Sequence, residues 1–428
     1  MGLNSTPSSD RIHIGFFGKR NAGKSSVINA VTGQSLSIVS DVKGTTTDPV
    51  YKAMELLPLG PVMMIDTPGL DDEGALGRLR MQKSYQVLNK TDIAVLVVDA
   101  SAGMTEEDHE IVRRFRRKNI PFLVVYNKTD LVDPAERKPV HGQEGPLAGH
   151  SRGKPPAGHE EDGIPDENVL WISSETGENI FELKELLARQ VPAELSRFPI
   201  VSDLLAPNDF VILVVPIDSA APKGRLILPQ QQTIRDVLEA GAAAMVVRET
   251  ELADTLAHIC KKPRIVITDS QAFAKVAAET PEEIPLTSFS ILFARHKGNL
   301  ELAVKGAAAV EKLKDGDMVL ISEGCTHHRQ CDDIGTKKLP RWLEEYTGKK
   351  LNFRFTSGTE FPEDFTGFAM VVHCGGCMLN EREMKYRLQC AEDQGIPITN
   401  YGILISFLNG ILKRCIAPFP DFASCLTG

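Results

Sequence analysis

Two sets of residues in this 428-residue chain have the types and spacing to do chemistry. The first is GKRNAGKS, Gly18 to Ser25, which fits G-x-x-x-x-G-K-[ST] directly after the apolar run IHIGFF. Its glycines let successive backbone N–H groups wrap a β-phosphate, and a helix starting there adds a favourable field. Lys24 would neutralise the β- and γ-phosphates and Ser25 would offer its hydroxyl to Mg²⁺. The second set is Cys325-Thr326-His327 and, after a long spacer, His373-Cys374-Gly375-Gly376-Cys377. Three thiols and two imidazoles in two short loops are metal ligands by type. On the residues alone, structural zinc bound by Cys₂His₂ or Cys₃His suits them as well as iron and sulfide do.

Positioning these residues requires strands that end where they begin. The runs IHIGFFG (Ile12 to Gly18), VMMIDTPG (Val62 to Gly69), IAVLVVDA (Ile93 to Ala100), FLVVYNKTD (Phe122 to Asp130) and VLWISS (Val169 to Ser174) are near-continuously apolar, with helical stretches between them. That pattern predicts an α/β fold with a parallel sheet covered on both faces, spanning 8–190. An insert over 133–167 is rich in Pro, Gly, His and charge. Its His141, His150 and His159 fall nine residues apart, but the composition is that of a surface loop. VPAELSRFP (Val191 to Pro199) reads as a linker, followed by a small α/β unit over 200–262 with no chemistry of its own, a reasonable assembly surface. A third α/β unit is expected over 263–428. Its strands DMVLISEG and FAMVVHCGGC lead straight into Cys325 and Cys374. If those strands are parallel neighbours, both loops leave the same sheet edge and the long spacer becomes a contact. The Gly375–Gly376 pair lets backbone approach a metal, and a helix starting near Leu379 is expected to favour thiolate at Cys374 and Cys377.

Composition narrows the classes. The chain is 42% hydrophobic and 25% charged, as in ordinary globular proteins, and its net charge of −9 disfavours nucleic-acid binding through a broad basic surface. No apolar run approaches the roughly 18 residues of a membrane span. MGLNSTPSSD lacks a basic segment followed by an apolar one, so no signal peptide and a cytoplasmic location are expected. All eight cysteines lie at or after Cys260, which points to metal or redox chemistry in the C-terminal part rather than a disulfide framework. Cys260, Cys390 and Cys415 lie in apolar or helical contexts and read as buried small hydrophobes, and Cys331 as a bystander close to the ligands.

Three further loops specify the nucleotide. DTPG (Asp66 to Gly69) ends one strand, putting Asp66 near Mg²⁺ and the Gly69 N–H at the γ-phosphate. NKTD (Asn127 to Asp130) ends another, and SSETGEN begins at Ser173. With these motifs the chain resembles the GTPase superfamily. The resemblance implies that Asp130 accepts from the guanine N1 and N2 edge, which adenine cannot match. It also implies that Asn127 braces the loop beside Ser173, that the Lys128 stem covers the base, and that the Ser174 N–H reaches O6. Ala22, Gly23 and Ser26 complete the phosphate and nucleotide contacts, and Thr46 of GTTTDP joins Ser25 on Mg²⁺. GTTTDP and GKRNAGKSSVINAVTG look like the TrmE and Era-like branch. In its potassium-dependent members the P-loop Asn, here Asn21, coordinates K⁺ beside the phosphates. Leu70 stands where Ras-like proteins carry a water-positioning Gln, so slow intrinsic GTP hydrolysis to GDP is expected.

A potassium-type G domain followed by C-x-H and then H-C-x-x-C resembles the HydF family of [FeFe]-hydrogenase maturation GTPases over essentially the whole chain. The resemblance implies a [4Fe–4S] cluster on Cys325, Cys374 and Cys377, with a labile fourth ligand among His327, His373, Asp332 and Asp333. It further implies a homodimer that receives a di-iron precursor assembled with radical-SAM maturases and delivers it to apo-hydrogenase. The alternatives are a regulatory GTPase with a structural zinc module for protein or RNA, and a TrmE-like RNA-modifying enzyme. The domain order and acidic balance disfavour the latter.

Overall fold

Runs of Val, Ile, Leu and Phe too uniform to leave either face wet must be strands covered on both faces. The computed structural model describes residues 6–33, 49–69, 81, 83–133, 164–191, 198–217, 226–324, 333–358 and 360–423. These fall in two compact units, Met1–Leu195 and Ser196–Gly428. In the first, β1 (Ile12–Phe17), β2 (Val50–Leu56), β3 (Gly60–Asp66), β4 (Ile93–Asp99), β5 (Phe122–Asn127) and β6 (Val169–Trp171) form one sheet in the order β2-β3-β1-β4-β5-β6. Every pairing is parallel except that of β2, which runs antiparallel to β3 along the sheet edge. The five apolar runs are the parallel strands. Alternating burial along β2 explains why it did not stand out as apolar. Two hydrophobic clusters, one on each face, cover the sheet: Val27, Ile28 and Leu183 lie in one, Ile111, Val112 and Phe115 in the other. Each such fully buried side chain contributes about 1.5–3 kcal/mol.

The second unit holds two four-stranded parallel sheets. β7 (Phe210–Val214), β8 (Ala243–Val247), β9 (Ile265–Thr268) and β10 (Leu286–Ser288) lie in the order β10-β9-β7-β8. β11 (Met318–Glu323), β12 (Asn352–Ser357), β13 (Phe368–His373) and β14 (Ile398–Asn400) lie in the order β12-β11-β13-β14. The expected boundary at 262/263 is corrected here. β9 pairs with β7 from Val211↔Ile265 to Val214↔Thr268, so PRIVITDS completes the first of these sheets instead of opening a new unit. The reason is the uniformly apolar β7, which needs a strand on both edges to satisfy its backbone and bury both faces. The C-terminal helices also return to that sheet, with Leu412, Cys415, Ile416 and Phe419 in its core. Cys415 is buried as expected; Cys260 is exposed, against expectation, because it follows the short helix Leu252–His258 on the outer surface.

β8 is unusual for an edge. Its sequence AAMVV is wholly apolar, yet Met245 is 39% and Val246 44% exposed. Among the described residues, no helix is long and apolar enough to cross a membrane.

Candidate functional site

All nucleotide motifs in the described residues emerge at one edge of the first sheet, because parallel strands share a carboxyl end. β1 runs into Gly18, whose φ of +137° and position against the Val97 carbonyl leave no room for a side chain. Gly23, φ +89°, precedes the helix Lys24–Thr32; a Cβ there would sit 2.3 Å from Asn127 Nδ2. The Lys24 ammonium is buried and donates to the Gly18 and Lys19 carbonyls at 2.9 and 2.8 Å. Ser25 Oγ donates to Asp66 Oδ2 at 2.5 Å, joining the two residues expected around Mg²⁺. Burial pushes the Asp66 carboxyl above its ordinary value, against the Ser25 hydrogen bond and the Lys24 charge. Thr67 Oγ1 donates to the Phe16 carbonyl at 2.6 Å, pinning the start of the Asp66–Gly69 loop to β1.

Asn127 ties the base loops to the phosphate loop. Its Nδ2 donates to the Ala22 carbonyl at 3.1 Å and its Oδ1 accepts the Ser174 N–H at 3.0 Å. The Ser174 N–H expected at guanine O6 therefore already has a partner, and donation to O6 would share or replace that bond. Ser173 Oγ donates to Asp130 Oδ1 at 2.5 Å, which orients the exposed carboxylate and leaves its other oxygen for a base edge. Lys128, at φ +66°, pairs with Asp99 at 2.6 Å. Burial acts to raise the Asp99 carboxyl, but hydrogen bonds from Lys128 and Ser101 outweigh it and hold the group below its usual range. Thr129 Oγ1 donates to Glu178 at 2.8 Å. Asp99 and Glu178 were not expected from sequence. The register Asp99↔Asn127 shows the available signal for Asp99, an acid ending the strand beside NKTD. Asn21 lies exposed in the left-handed region at φ +62°, a conformation that favours Asn whether or not a cation binds. Ala22 is buried and Ser26 lies in the first turn of the helix. Thr46 and Leu70 lie outside the described residues.

In the second unit β11 and β13 are parallel neighbours in the register Ser322↔His373, so the strand ends that lead into Cys325 and Cys374 lie at one edge. The Gly324 N–H donates to Cys374 Sγ at 3.1 Å, and Cys325 is the next residue in the chain. The Gly376 N–H also donates to that sulfur, at 3.4 Å. A Cβ on Gly376, φ +63°, would lie 2.5 Å from Met384 Sδ. The helix expected near Leu379 runs Glu381–Asp393 with Asn380 as its side-chain cap. Burial raises the Cys377 thiol above its ordinary value, the Cys374 charge adds to this, and Lys297 opposes only in part. Glu381 and Glu383 in the first helical turn work against the helix field.

His373, a candidate fourth ligand, sits among other partners in this arrangement. It is 1% exposed, with Nδ1 on the Cys374 carbonyl at 2.7 Å and Nε2 on Arg387 at 3.1 Å, so both ring nitrogens are committed. Asp333 accepts from the Thr336 N–H and hydroxyl as a turn cap. Cys325, His327, Cys331 and Asp332, with His141, His150 and His159 of the insert, lie outside the described residues. Among the described residues there is no cluster of three or more potential metal ligands, two of the three expected thiols being Cys374 and Cys377.

The sheet order, phosphate loop and base loops define the class: this is a P-loop GTPase domain. The family model described as a 50S ribosome-binding GTPase matches residues 13–128. GTPase Der of Maridesulfovibrio salexigens is 38% identical over 131 residues, covering 29% of this chain and 29% of that protein. GTPase Der of Clostridium perfringens is 36% identical over 130 residues, covering 29% and 30%. The matched segment is thus under a third of the length of these curated relatives, and they bear on the G domain alone. A crystal structure of Aquifex aeolicus Era bound to GDP·AlF₄⁻ covers 62% of this chain and 97% of its own at 19% identity, with a TM-score of 0.33, too slight to bear on chemistry. The hydrogen maturase F dimerization domain matches residues 200–298 and the hydrogen maturase F tetramerization domain matches 301–418, together about half of the chain. The chain belongs to the hydrogen maturase F (HydF) family, with a G domain at its N-terminal end.

Replacing Asn127 by Ala removes its bond to the phosphate loop at Ala22 and its bond to the second base loop at Ser174 while touching no phosphate. We expect about 10- to 100-fold weaker binding of GTP and GDP alike, measured by nucleotide titration calorimetry.

Proposed function

We propose that this protein hydrolyses GTP and serves as an iron–sulfur scaffold and carrier in maturation of [FeFe]-hydrogenase. In this reading it receives the di-iron precursor of the active site, made with radical-SAM maturases, and delivers it to apo-hydrogenase. The observation that carries the reading is the Gly324 N–H on Cys374 Sγ, which joins the strand ends of both cysteine motifs within the hydrogen maturase F region. The donor set fits a [4Fe–4S] cluster. Cys374 and Cys377 are soft ligands on a glycine-rich turn, two backbone N–H groups already face a sulfur, and Cys325 adjoins one of those donors. Cys325, Cys374 and Cys377 would hold the cluster, and the fourth position falls to His327 or Asp332 once His373 is spent. When bound, such a cluster supplies one exchangeable iron position able to accept a group bridging from a second metal centre.

In the G domain, Lys24 and the P-loop N–H groups bind the phosphates, while Ser25, Thr46 and Asp66 hold Mg²⁺ directly or through water. Asp130 and Asn127 select guanine. Asn21 coordinates K⁺ in place of an arginine finger. GTP turnover changes association with the partner maturases rather than driving redox chemistry. The occupant of the exposed β8 edge is a second copy of this chain, because an apolar strand with an unpaired backbone edge is a template for strand addition and the segment belongs to a dimerization domain.

Three outcomes check these assignments. Anaerobic reconstitution gives about four iron and four sulfide per chain with a broad visible absorbance, all lost when Cys325, Cys374 and Cys377 become Ser. One tightly held zinc without sulfide would instead favour the structural-zinc regulatory GTPase. Asn21→Gly keeps the left-handed turn but removes the amide oxygen, so the excess of hydrolysis in KCl over NaCl vanishes; a retained K⁺ preference would exclude Asn21. Val246→Lys places a charge on the β8 edge and shifts the chain towards monomer in analytical ultracentrifugation.

A further inference from the structure

Arg387, on the helix Glu381–Asp393, is 1% exposed and is the largest fully buried side chain among the described residues. Neither the nucleotide nor the thiol chemistry above uses it. A buried guanidinium needs acceptors for its donors; here Nη1 and Nη2 reach three of them, while the buried Nε has none among the described residues. Nη1 donates to His373 Nε2 at 3.1 Å. Nη2 donates to the carbonyl of Gly358, just past β12, at 2.6 Å and to Glu383 Oε1 at 2.8 Å. The Phe361 ring lies against the guanidinium, 4.9 Å from its centroid. Arginine cannot accept a hydrogen bond, so His373 Nε2 carries no proton and the ring is neutral. Its proton sits on Nδ1, which donates to the Cys374 carbonyl at 2.7 Å. Cys374 is thereby gripped at three atoms. Its N–H donates to the Ser322 carbonyl at 2.8 Å, its own carbonyl is held by His373, and its sulfur receives the Gly324 and Gly376 N–H groups.

We propose that Arg387 is a positioning residue for the thiol site, acting through His373 to orient the Cys374 carbonyl and so aim the Gly376 N–H at the Cys374 sulfur. The part of this that concerns the cluster rests on the carrier reading above. N–H···S bonds withdraw charge from a ligating thiolate and favour the reduced state of whatever metal group it holds. Glu383 balances the guanidinium charge, so the influence travels by orientation.

Arg387→Lys keeps a cation for Glu383 but lacks the fork that spans His373, Gly358 and Glu383 together. His373→Phe keeps a ring against Phe361 and removes both nitrogens. In the metal-free full chain, amide hydrogen exchange of a peptide covering 372–378 rises about ten-fold in each variant. The double variant R387K/H373F exchanges no faster than either single one, as expected of two residues in one path. Peptides from β7 and β9 exchange as in the unsubstituted chain. After reconstitution each variant keeps its iron but shows a shifted electron paramagnetic resonance spectrum for the reduced cluster. Unchanged exchange at 372–378, additive effects in the double variant, or equal loosening of β7 overturns the proposal. Faster exchange with an unchanged spectrum overturns its link to the metal. An unsubstituted chain that takes up no cluster overturns the carrier reading instead, and the exchange cycle alone then decides the Arg387–His373 path.

Discussion

Parallel pairing of β11 with β13, in the register Ser322↔His373, brings to one sheet edge the strand ends that lead into Cys325 and Cys374, two segments far apart in the chain. Parallel neighbours need a crossover between them, so the residues following each strand can lie distant in sequence yet emerge on one edge. Had the pair slipped by one residue, the Gly324 N–H would no longer meet the Cys374 sulfur and every side chain of one strand would change face. The same constraint builds the nucleotide site, where β1, β3, β4 and β5 deliver Gly18, Asp66, Asp99 and Asn127 to a common edge.

In both places the loops are joined by a neutral side chain with two committed polar ends. Asn127 links the Ala22 carbonyl to the Ser174 N–H, and His373 links Arg387 to the Cys374 carbonyl. A neutral bridge avoids the desolvation penalty that a buried ion would carry, while leaving either end unpaired would cost about 1–3 kcal/mol. Glycine is required where these bridges crowd the backbone. Gly23 faces the Asn127 amide, and Gly376 faces the Met384 sulfur, each in a left-handed conformation. The charged groups nearby are paired in turn, Lys128 with Asp99 and Arg387 with Glu383.

The parallel strands of the G domain and the strand runs of β11 and β13 were legible in the sequence, because uniformly apolar runs followed by Gly, Asp, Asn or Cys mark strand ends whatever the packing. β2 was not, since a half-wet edge strand has no such uniformity. The placement of β9 was not either: IVIT suits any buried parallel strand, and only the need of β7 for a second neighbour decides which sheet it joins. Helix start signals put the helix Glu381–Asp393 within two residues of its expected beginning, but not the burial that raises the Cys377 thiol, which comes from the packing around it.

By itself, then, the sequence determined the nucleotide class and the α/β architecture, since each depends on residue types and patterns that are local in the chain. The tertiary structure decided which groups those residues touch. Arg387 lies fourteen positions beyond His373 with no local pattern to link them, and the contact of its guanidinium with His373 Nε2 comes from packing alone. A hydrogen bond's partner is set by the packing of elements, and no local spacing encodes it.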